Sequence, residues 1–280
     1  MSQTPIKPIL KYPGAKWRLA PWIVSHFPEH QHYIEPYAGS AACFFTKAPA
    51  PHEVLNDLNG SICTLFRVLR ERGEELAEAI SLTPWCEEEY EQLEKNWYHE
   101  DEVEYARRFL IRCWQAHGGT IYQVSGWKHN GLHGHAYPVR LWRQLPERLI
   151  STVERLRDAE IRNRPALEMI DYYNAPDVLL YVDPPYVLST RARKYYPFEM
   201  DDTAHVQLLE VLDRHKGMVI LSGYSHPLYD EQLQHWYRVS MASVAEHGKA
   251  QTEVLWLNPR ATQRQQLSLF PQTKYRKEEW

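Results

Sequence analysis

Leu179-Leu180-Tyr181-Val182-Asp183-Pro184-Pro185-Tyr186 decides how this chain is read. Four apolar residues of the kind that fill a buried strand run straight into an acid, two prolines and an aromatic ring. A carboxylate and a ring therefore stand just past a strand's carboxyl end. Open α/β sheets place their ligands there. The prolines fix φ and remove two N–H donors, which leaves backbone carbonyls free to accept from another molecule and stiffens the loop. A rigid acceptor array beside a flat ring suits an amino group on a planar heterocycle. Asp183 and the Pro184 carbonyl accept its two hydrogens while Tyr186 stacks on the ring. Adenine N6 and cytosine N4 are such groups.

The rest of the chain sets the bounds. With 280 residues and 44% hydrophobic content it can bury a sizeable core, as one large domain or one domain carrying an insertion. No run approaches the ~20 apolar residues of a spanning helix, and Met1-Ser2-Gln3-Thr4-Pro5 lacks a signal-peptide core, so no membrane partner is expected. Cys43, Cys63, Cys86 and Cys113 are widely spaced without a Cys-x-x-Cys pair, which points to a reduced, cytoplasmic protein. Net charge is -4, yet it is unevenly spread. Twelve acids face Lys95 alone from Glu74 to Glu104, whereas eleven Lys/Arg face four acids from Arg107 to Arg164. A basic segment of that kind can supply phosphate contacts.

Upstream, Tyr12-Pro13-Gly14-Ala15-Lys16 forms a turn with an aromatic on one side and a lysine on the other, ahead of an apolar-periodic stretch from Leu19 to Phe27. His32-Tyr33-Ile34-Glu35 reads as a strand, Pro36-Tyr37-Ala38-Gly39-Ser40 as a tight turn and Ala41 onward as a helix. Only one glycine is present, so the Gly-x-Gly-x-x-Gly fingerprint of a pyrophosphate-bearing cofactor is absent, which disfavours a nicotinamide dehydrogenase. Val54-Leu55-Asn56-Asp57 is a second strand ending in an acid, near the ~20-residue offset at which such an acid meets a ribose. A cofactor with a ribose and no pyrophosphate fits both facts, and S-adenosylmethionine is the obvious candidate.

Taken in order, Lys11-Tyr12-Pro13-Gly14-Ala15-Lys16, Glu35-Pro36-Tyr37-Ala38-Gly39-Ser40, Asn56-Asp57-Leu58-Asn59 and Asp183-Pro184-Pro185-Tyr186 resemble the motifs of the Dam-type (D12 class) adenine-N6 DNA methyltransferases, phage and prophage members included. The resemblance implies an α/β, Rossmann-like S-adenosylmethionine-dependent methyltransferase sheet with a mainly helical target-recognition insert. Residues 1–66 and 160–258 would form the catalytic domain and 67–159 the DNA-binding insert. It carries cofactor contacts onto Tyr12, Lys16, Glu35, Pro36, Gly39, Asp57 and Asp183, and catalysis onto Asp183, Pro184, Pro185 and Tyr186. Tyr12-Pro13-Gly14-Ala15 stands where many members have Trp-Ala-Gly-Gly, which alters the loop's path rather than its role.

Ser61 to Arg72, running into the insert, reads as an amphipathic helix, and Thr83-Pro84 starts another in the order of cap and N1 proline. The stretch from Gly118 to Arg140 lacks periodicity and is rich in Gly, His and aromatics, as suits a DNA-reading loop. Tyr122, Trp127, Lys128, Asn130 and Arg140 are its candidate contacts. His129, His133 and His135 come without an acid or cysteine, so no metal is expected. Arg191, Arg193 and Lys194 are placed to grip phosphates beside an extruded base. Asp202 reads as the cap of a following helix. The polar segment 259–280 reads as a flexible tail carrying Gln266-Leu267-Ser268-Leu269-Phe270, which resembles the peptide that binds the bacterial DNA sliding clamp.

The chemistry expected is methyl transfer to a flipped-out adenine in duplex DNA, yielding S-adenosylhomocysteine, with GATC the first site to test and the nucleoid the setting. Two rivals stand beside it. One is methylation of another amino group, on cytosine N4, RNA or a protein amide. The other is a DNA- or clamp-binding protein that keeps the fold without catalysis.

Overall fold

A computed structural model describes residues 6–117, 122, 126–129, 137–191, 194–244 and 250–269. Its centre is a seven-stranded sheet in the order β3-β2-β1-β4-β5-β7-β6. The strands are β1 His32–Glu35, β2 His52–Asn56, β3 Ala159–Arg162, β4 Val178–Val182, β5 Met218–Tyr224, β6 Tyr237–Val244 and β7 Ala250–Leu257. Strands β1 to β5 pair in parallel, and β7 runs antiparallel between β5 and β6. The order reverses between β1 and β4, both of which lie inside the sheet. This is the Rossmann-like α/β sheet expected from the sequence.

Side-chain alternation explains why β4 is apolar at every position. Leu179 and Tyr181 enter one buried cluster with Phe44, Phe66 and Phe109, whereas Val178, Leu180 and Val182 enter the opposite one with Ile170, Leu208 and Leu212. A parallel strand covered on both faces cannot spare a polar residue until it leaves the sheet. It leaves at Asp183. The second cluster is covered by α8 Ala166–Tyr172, α9 Asp202–Asp213 and α10 Pro227–Gln232. The first takes in α1 Ala20–Val24, α2 Ala42–Thr46, α3 Gly60–Ser81, α4 Glu87–Lys95, α5 Glu102–Gln115, α6 Tyr137–Arg143 and α7 Leu145–Leu156. The helices between β2 and β3 thus share one continuous core with the sheet, Phe109 and Leu149 lying in the same cluster as Tyr33 and Leu179.

Several local expectations are revised. Helix α3 does not stop at Arg72. That residue has φ -136° and ψ 36°, and the helix resumes beyond it to Ser81. Thr83 closes α3 instead of opening α4: its amide donates to Ile80 O and its hydroxyl to Ala79 O, while α4 begins after Cys86. Asp201, not Asp202, caps α9 through Ala204 N. The supposed tail begins with a helix, α11 Pro259–Leu269, whose start is tied down because Asn258 Oδ1 accepts from Ala261 N and Ala261 is fully buried. An N1 proline with an asparagine before it is a helix start in any composition. Gln266, Leu267, Ser268 and Leu269 therefore lie on α11, and Phe270 lies outside the described residues.

Candidate active site

Strands β1 and β4 end side by side where the sheet order reverses, at Glu35 and Val182, and the turns that follow them line one cavity of about 270 Å³. Tyr12, Lys16, Glu35, Pro36, Gly39, Asp57 and Asp183 all line it. Pro185 lines it as well, and Pro184 and Tyr186 on either side of it are buried. Ligands of open α/β sheets bind at this topological switch point.

The turn after β1 is built around backbone that favours glycine. Gly39 has φ +49° and Ala41, just before α2, has φ +51°. Gly39 N donates to Asp57 Oδ2 at 2.9 Å and Asn59 N to Asp57 Oδ1 at 2.8 Å, so the acid at the end of β2 stitches the two turns together. Burial pushes Asp57 up to about 6 despite these donors. Asn59 is a hub that sequence reasoning quoted without a role. Its Oδ1 accepts from Ser61 N at the start of α3, and its Nδ2 donates to the hydroxyls of Tyr12 and Tyr122.

Glu35 lies deeper. It is 1% exposed and accepts from the Tyr33 hydroxyl at 2.6 Å and from Phe44 N at 2.8 Å. Burial outweighs both donors and pushes its pKa from 4.5 up to about 8. The folded state thus keeps a proton that the unfolded chain releases above about pH 4.5, so Glu35 costs stability increasingly as pH rises toward 8. Glu35→Gln is expected to become the more stable protein over that window, by an amount growing to a few kcal/mol. Urea unfolding at a series of pH values measures it; a constant difference between variant and wild type would contradict it.

Beside Glu35, Lys16 is buried with its Nζ 3.0 Å from Asp183 Oδ1 and 4.0 Å from Glu253 Oε1. It donates to Gly14 O at 2.8 Å and lies 4.6 Å from the Tyr186 ring centre. Burial opposes its charge, but Asp183 and then Glu253 outweigh that and hold the ammonium above the ordinary lysine value. Burial raises Asp183 and Lys16 pulls it back. The Tyr186 hydroxyl is bonded to Glu253 and lies 2.9 Å from Ser222 Oγ, and its ring meets Tyr224 edge-on at 4.7 Å. Tyr186 is thus fixed at its far end before any ligand arrives.

Arg191 reverses its expected role. Its side chain is 7% exposed, both terminal nitrogens contact Glu199, and Nε donates to Tyr186 O at 2.7 Å. A guanidinium buried on a carboxylate and a carbonyl has no face left for a phosphate. Glu199 also accepts from Tyr195 N and Tyr196 N. The resulting strap brings the Tyr196 hydroxyl to Pro13 O at 3.2 Å, across one side of the cavity. Tyr122 is likewise turned inward, onto Asn59, with Trp97 edge-on at 6.0 Å. Trp127 donates to Gln115 Oε1, and Lys128 N to Gln115 O, so this part of the loop is pinned to the end of α5. Arg140 on α6 and Lys194 are exposed, while Asn130, His133, His135 and Arg193 lie outside the described residues. Glu253 and Tyr196 escaped sequence reasoning. A lone acid in the apolar strand Val254-Leu255-Trp256-Leu257 was the available signal for the first; nothing local marks the second.

Among the described residues, no helix is long and apolar enough to cross a membrane. In comparisons with known proteins, the Type II methyltransferase M1.LlaDCHI of Lactococcus lactis subsp. cremoris is 34% identical over 77 residues, a match spanning 27% of this chain and 27% of that protein. A family model described as D12 class N6 adenine-specific DNA methyltransferase matches residues 12–249, which take in all four motifs except Lys11. With a match of that extent on a sheet whose cavity gathers those motifs, the chain belongs to the D12 class of N6 adenine-specific DNA methyltransferases.

Proposed function

We propose that this chain transfers a methyl group from S-adenosylmethionine to N6 of an adenine in double-stranded DNA, breaking the methyl–sulfur bond and releasing S-adenosylhomocysteine and one N6 proton. The observation that carries this reading is Asp183, which faces the cavity at the end of β4 beside the motif turn of β1. The residues present fit the cofactor. Asp183 faces the cavity as an acceptor with Lys16 at 3.0 Å, and Asp57 follows β2 where this architecture receives a ribose. S-adenosylmethionine, when bound, supplies an electrophilic methyl carbon. Everything else falls to the chain's own residues.

The N6 lone pair is delocalised into its ring and is a poor nucleophile. Asp183, with the Pro184 carbonyl as second acceptor, holds both amine hydrogens, favours a pyramidal nitrogen and opposes the positive charge that develops there. The adenine must leave the stack to reach this cavity, at a cost of a few kcal/mol that protein contacts offset. Lys11 and Lys128 support a polyanionic partner, beside an Arg148 whose terminal nitrogens are bonded to Pro8 O and Gln144 Oε1. Lys11 Nζ and the Arg148 guanidinium both lie over the Trp114 ring, at 4.2 Å and 5.8 Å. Burial, then Lys128 and Arg148, bring Lys11 down to about 8, a crowding that a phosphate relieves.

Incubation with S-adenosylmethionine and unmethylated DNA, followed by digestion to nucleosides, is expected to yield N6-methyl-2′-deoxyadenosine by mass. Sequencing the methylated positions tests GATC. Methyl on cytosine N4 or on RNA would move the substrate to another amino group, and cofactor binding without any product would favour the non-catalytic reading. The protein's setting is the cytoplasm near the nucleoid, where a double-stranded DNA substrate lies. The sliding-clamp reading rests on the sequence of residues 266–270 alone. A clamp pull-down that loses nothing on Leu269→Ala with Phe270→Ala removes it.

A further inference from the structure

Glu253 is out of place on its strand. It sits in the run Thr252-Glu253-Val254-Leu255-Trp256-Leu257 and is 3% exposed, and a buried carboxylate is costly unless partners surround it. The register of β5 on β7 sets it opposite Tyr224, two positions from Ser222. Its Oε1 accepts from the Tyr186 hydroxyl and from Ser222 Oγ at 3.1 Å, and lies 4.0 Å from Lys16 Nζ. Lys16 meets Asp183 more closely, at 3.0 Å. Two carboxylates, one just past the end of β4 and one within β7, therefore converge on one buried ammonium, and the second also grips the tyrosine of the Asp183–Tyr186 motif.

We propose that Glu253 is a positioning residue of the transfer site: it anchors Tyr186 by its hydroxyl and serves as second counter-ion of Lys16, so that Asp183 keeps its strength as an acceptor. The inference rests on the amine-methylating reading of the site. An ammonium held by Asp183 alone would draw on the same oxygens that the target amine needs. A second carboxylate at 4.0 Å divides that pull. The nearby charge of Asp183 adds to the upward direction at Glu253, where burial leads and Lys16 and Tyr186 oppose it. Among the other charged groups near this set, Arg191 is paired with Glu199, and Asp57, held up to about 6 in the same cavity, is the same in wild type and variants. Burial holds Tyr181, Tyr196, Tyr224 and Cys43 above their ordinary values, and Glu35 stands at about 8.

Glu253→Gln keeps an acceptor for Tyr186 and removes only the charge. In single-turnover methyl transfer to DNA it is expected to be about tenfold slower, with the acid limb of its pH profile about one unit lower, because Asp183 then faces Lys16 alone. Glu253→Asp keeps the charge and should leave the acid limb near the wild-type position even if the rate falls. A purely structural glutamate would move the rate or the melting temperature in both variants and the limb in neither, which would overturn the proposal. A measurement on the wild type depends on no variant and on no substrate. The 13C carboxyl signals of Asp183 and Glu253 are expected to titrate as a coupled pair, each curve carrying the other's step. Two independent single-step curves would overturn the charge sharing whatever the protein methylates, whereas coupled curves in a protein that makes no N6-methyladenine would leave it standing and remove the amine-methylating reading.

Discussion

Asp183→Ala is expected to lower methyl transfer to DNA by about 10³-fold or more while the protein stays folded and still binds S-adenosylmethionine. The size follows from what the carboxylate is asked to do. A delocalised amine becomes reactive only where its hydrogens are held and its developing charge is met, and a preorganised group that meets such charge is worth roughly 10²- to 10³-fold by itself. Asp183 adds a fixed direction, since it follows a strand buried on both faces and precedes two prolines. Asp183→Asn should lose less, about 10²-fold, because it keeps one acceptor oxygen and gives up the charge.

Survival of the fold is the second half of that expectation. Removing one partner of a buried ion pair ordinarily costs about 3–5 kcal/mol, because the other charge is stranded. Here Lys16 keeps Glu253 at 4.0 Å and the Gly14 carbonyl at 2.8 Å, so the loss should fall below that range. Nucleoside mass spectrometry, calorimetric titration with S-adenosylmethionine and thermal melting together decide the matter. Near-wild-type amounts of N6-methyl-2′-deoxyadenosine from Asp183→Ala would sink the assignment. A variant that fails to bind cofactor would instead move Asp183 from the chemistry to cofactor binding.

What the sequence shows and hides follows one rule. Strand β4 and its abrupt end at Asp183 were legible because a doubly covered strand leaves an uninterrupted apolar run that a single acid breaks. The turns at Tyr12 to Lys16, Pro36 to Gly39 and Asp57 were legible for a similar reason, since small residues and an acid at a strand end are local signals. Partners distant in the chain were not. Lys16 reads as a loop lysine until β7 brings Glu253 to it, and Glu253 reads as a defect in a strand until Lys16 and Tyr186 arrive. Arg191 misleads because a cation in a basic loop looks exposed. Its acid, Glu199, lies only eight residues on, yet nothing in the spacing says that the loop folds back to bury both. Asp201 and Asp202 are adjacent acids that pattern cannot tell apart, and only backbone geometry selects the first as the cap.

Gly14→Ala is expected to cut S-adenosylmethionine affinity by about 100-fold and stability by about 2–3 kcal/mol, from two causes that add. Gly14 has φ +71°, where an L side chain costs about 1–2 kcal/mol on its own. A Cβ there would also stand 2.3 Å from the Tyr196 hydroxyl oxygen, far inside contact distance. That oxygen cannot simply swing away. It donates to Pro13 O, and its backbone amide is held by Glu199, which Arg191 clamps in turn. The methyl group must therefore push the strap or the Pro13–Gly14 turn, and both line the cavity that holds Lys16 over Asp183. Tyr196→Phe separates the causes. It removes the colliding atom and one hydrogen bond, so in the Gly14→Ala background it should return part of the affinity and leave the backbone cost in place. Calorimetric titration of wild type, both single variants and the double variant measures the coupling between the two positions. Strict additivity would mean that the strap does not press on the turn, and the cavity wall would then have to be rigid for some reason other than the contact between Tyr196 and Gly14.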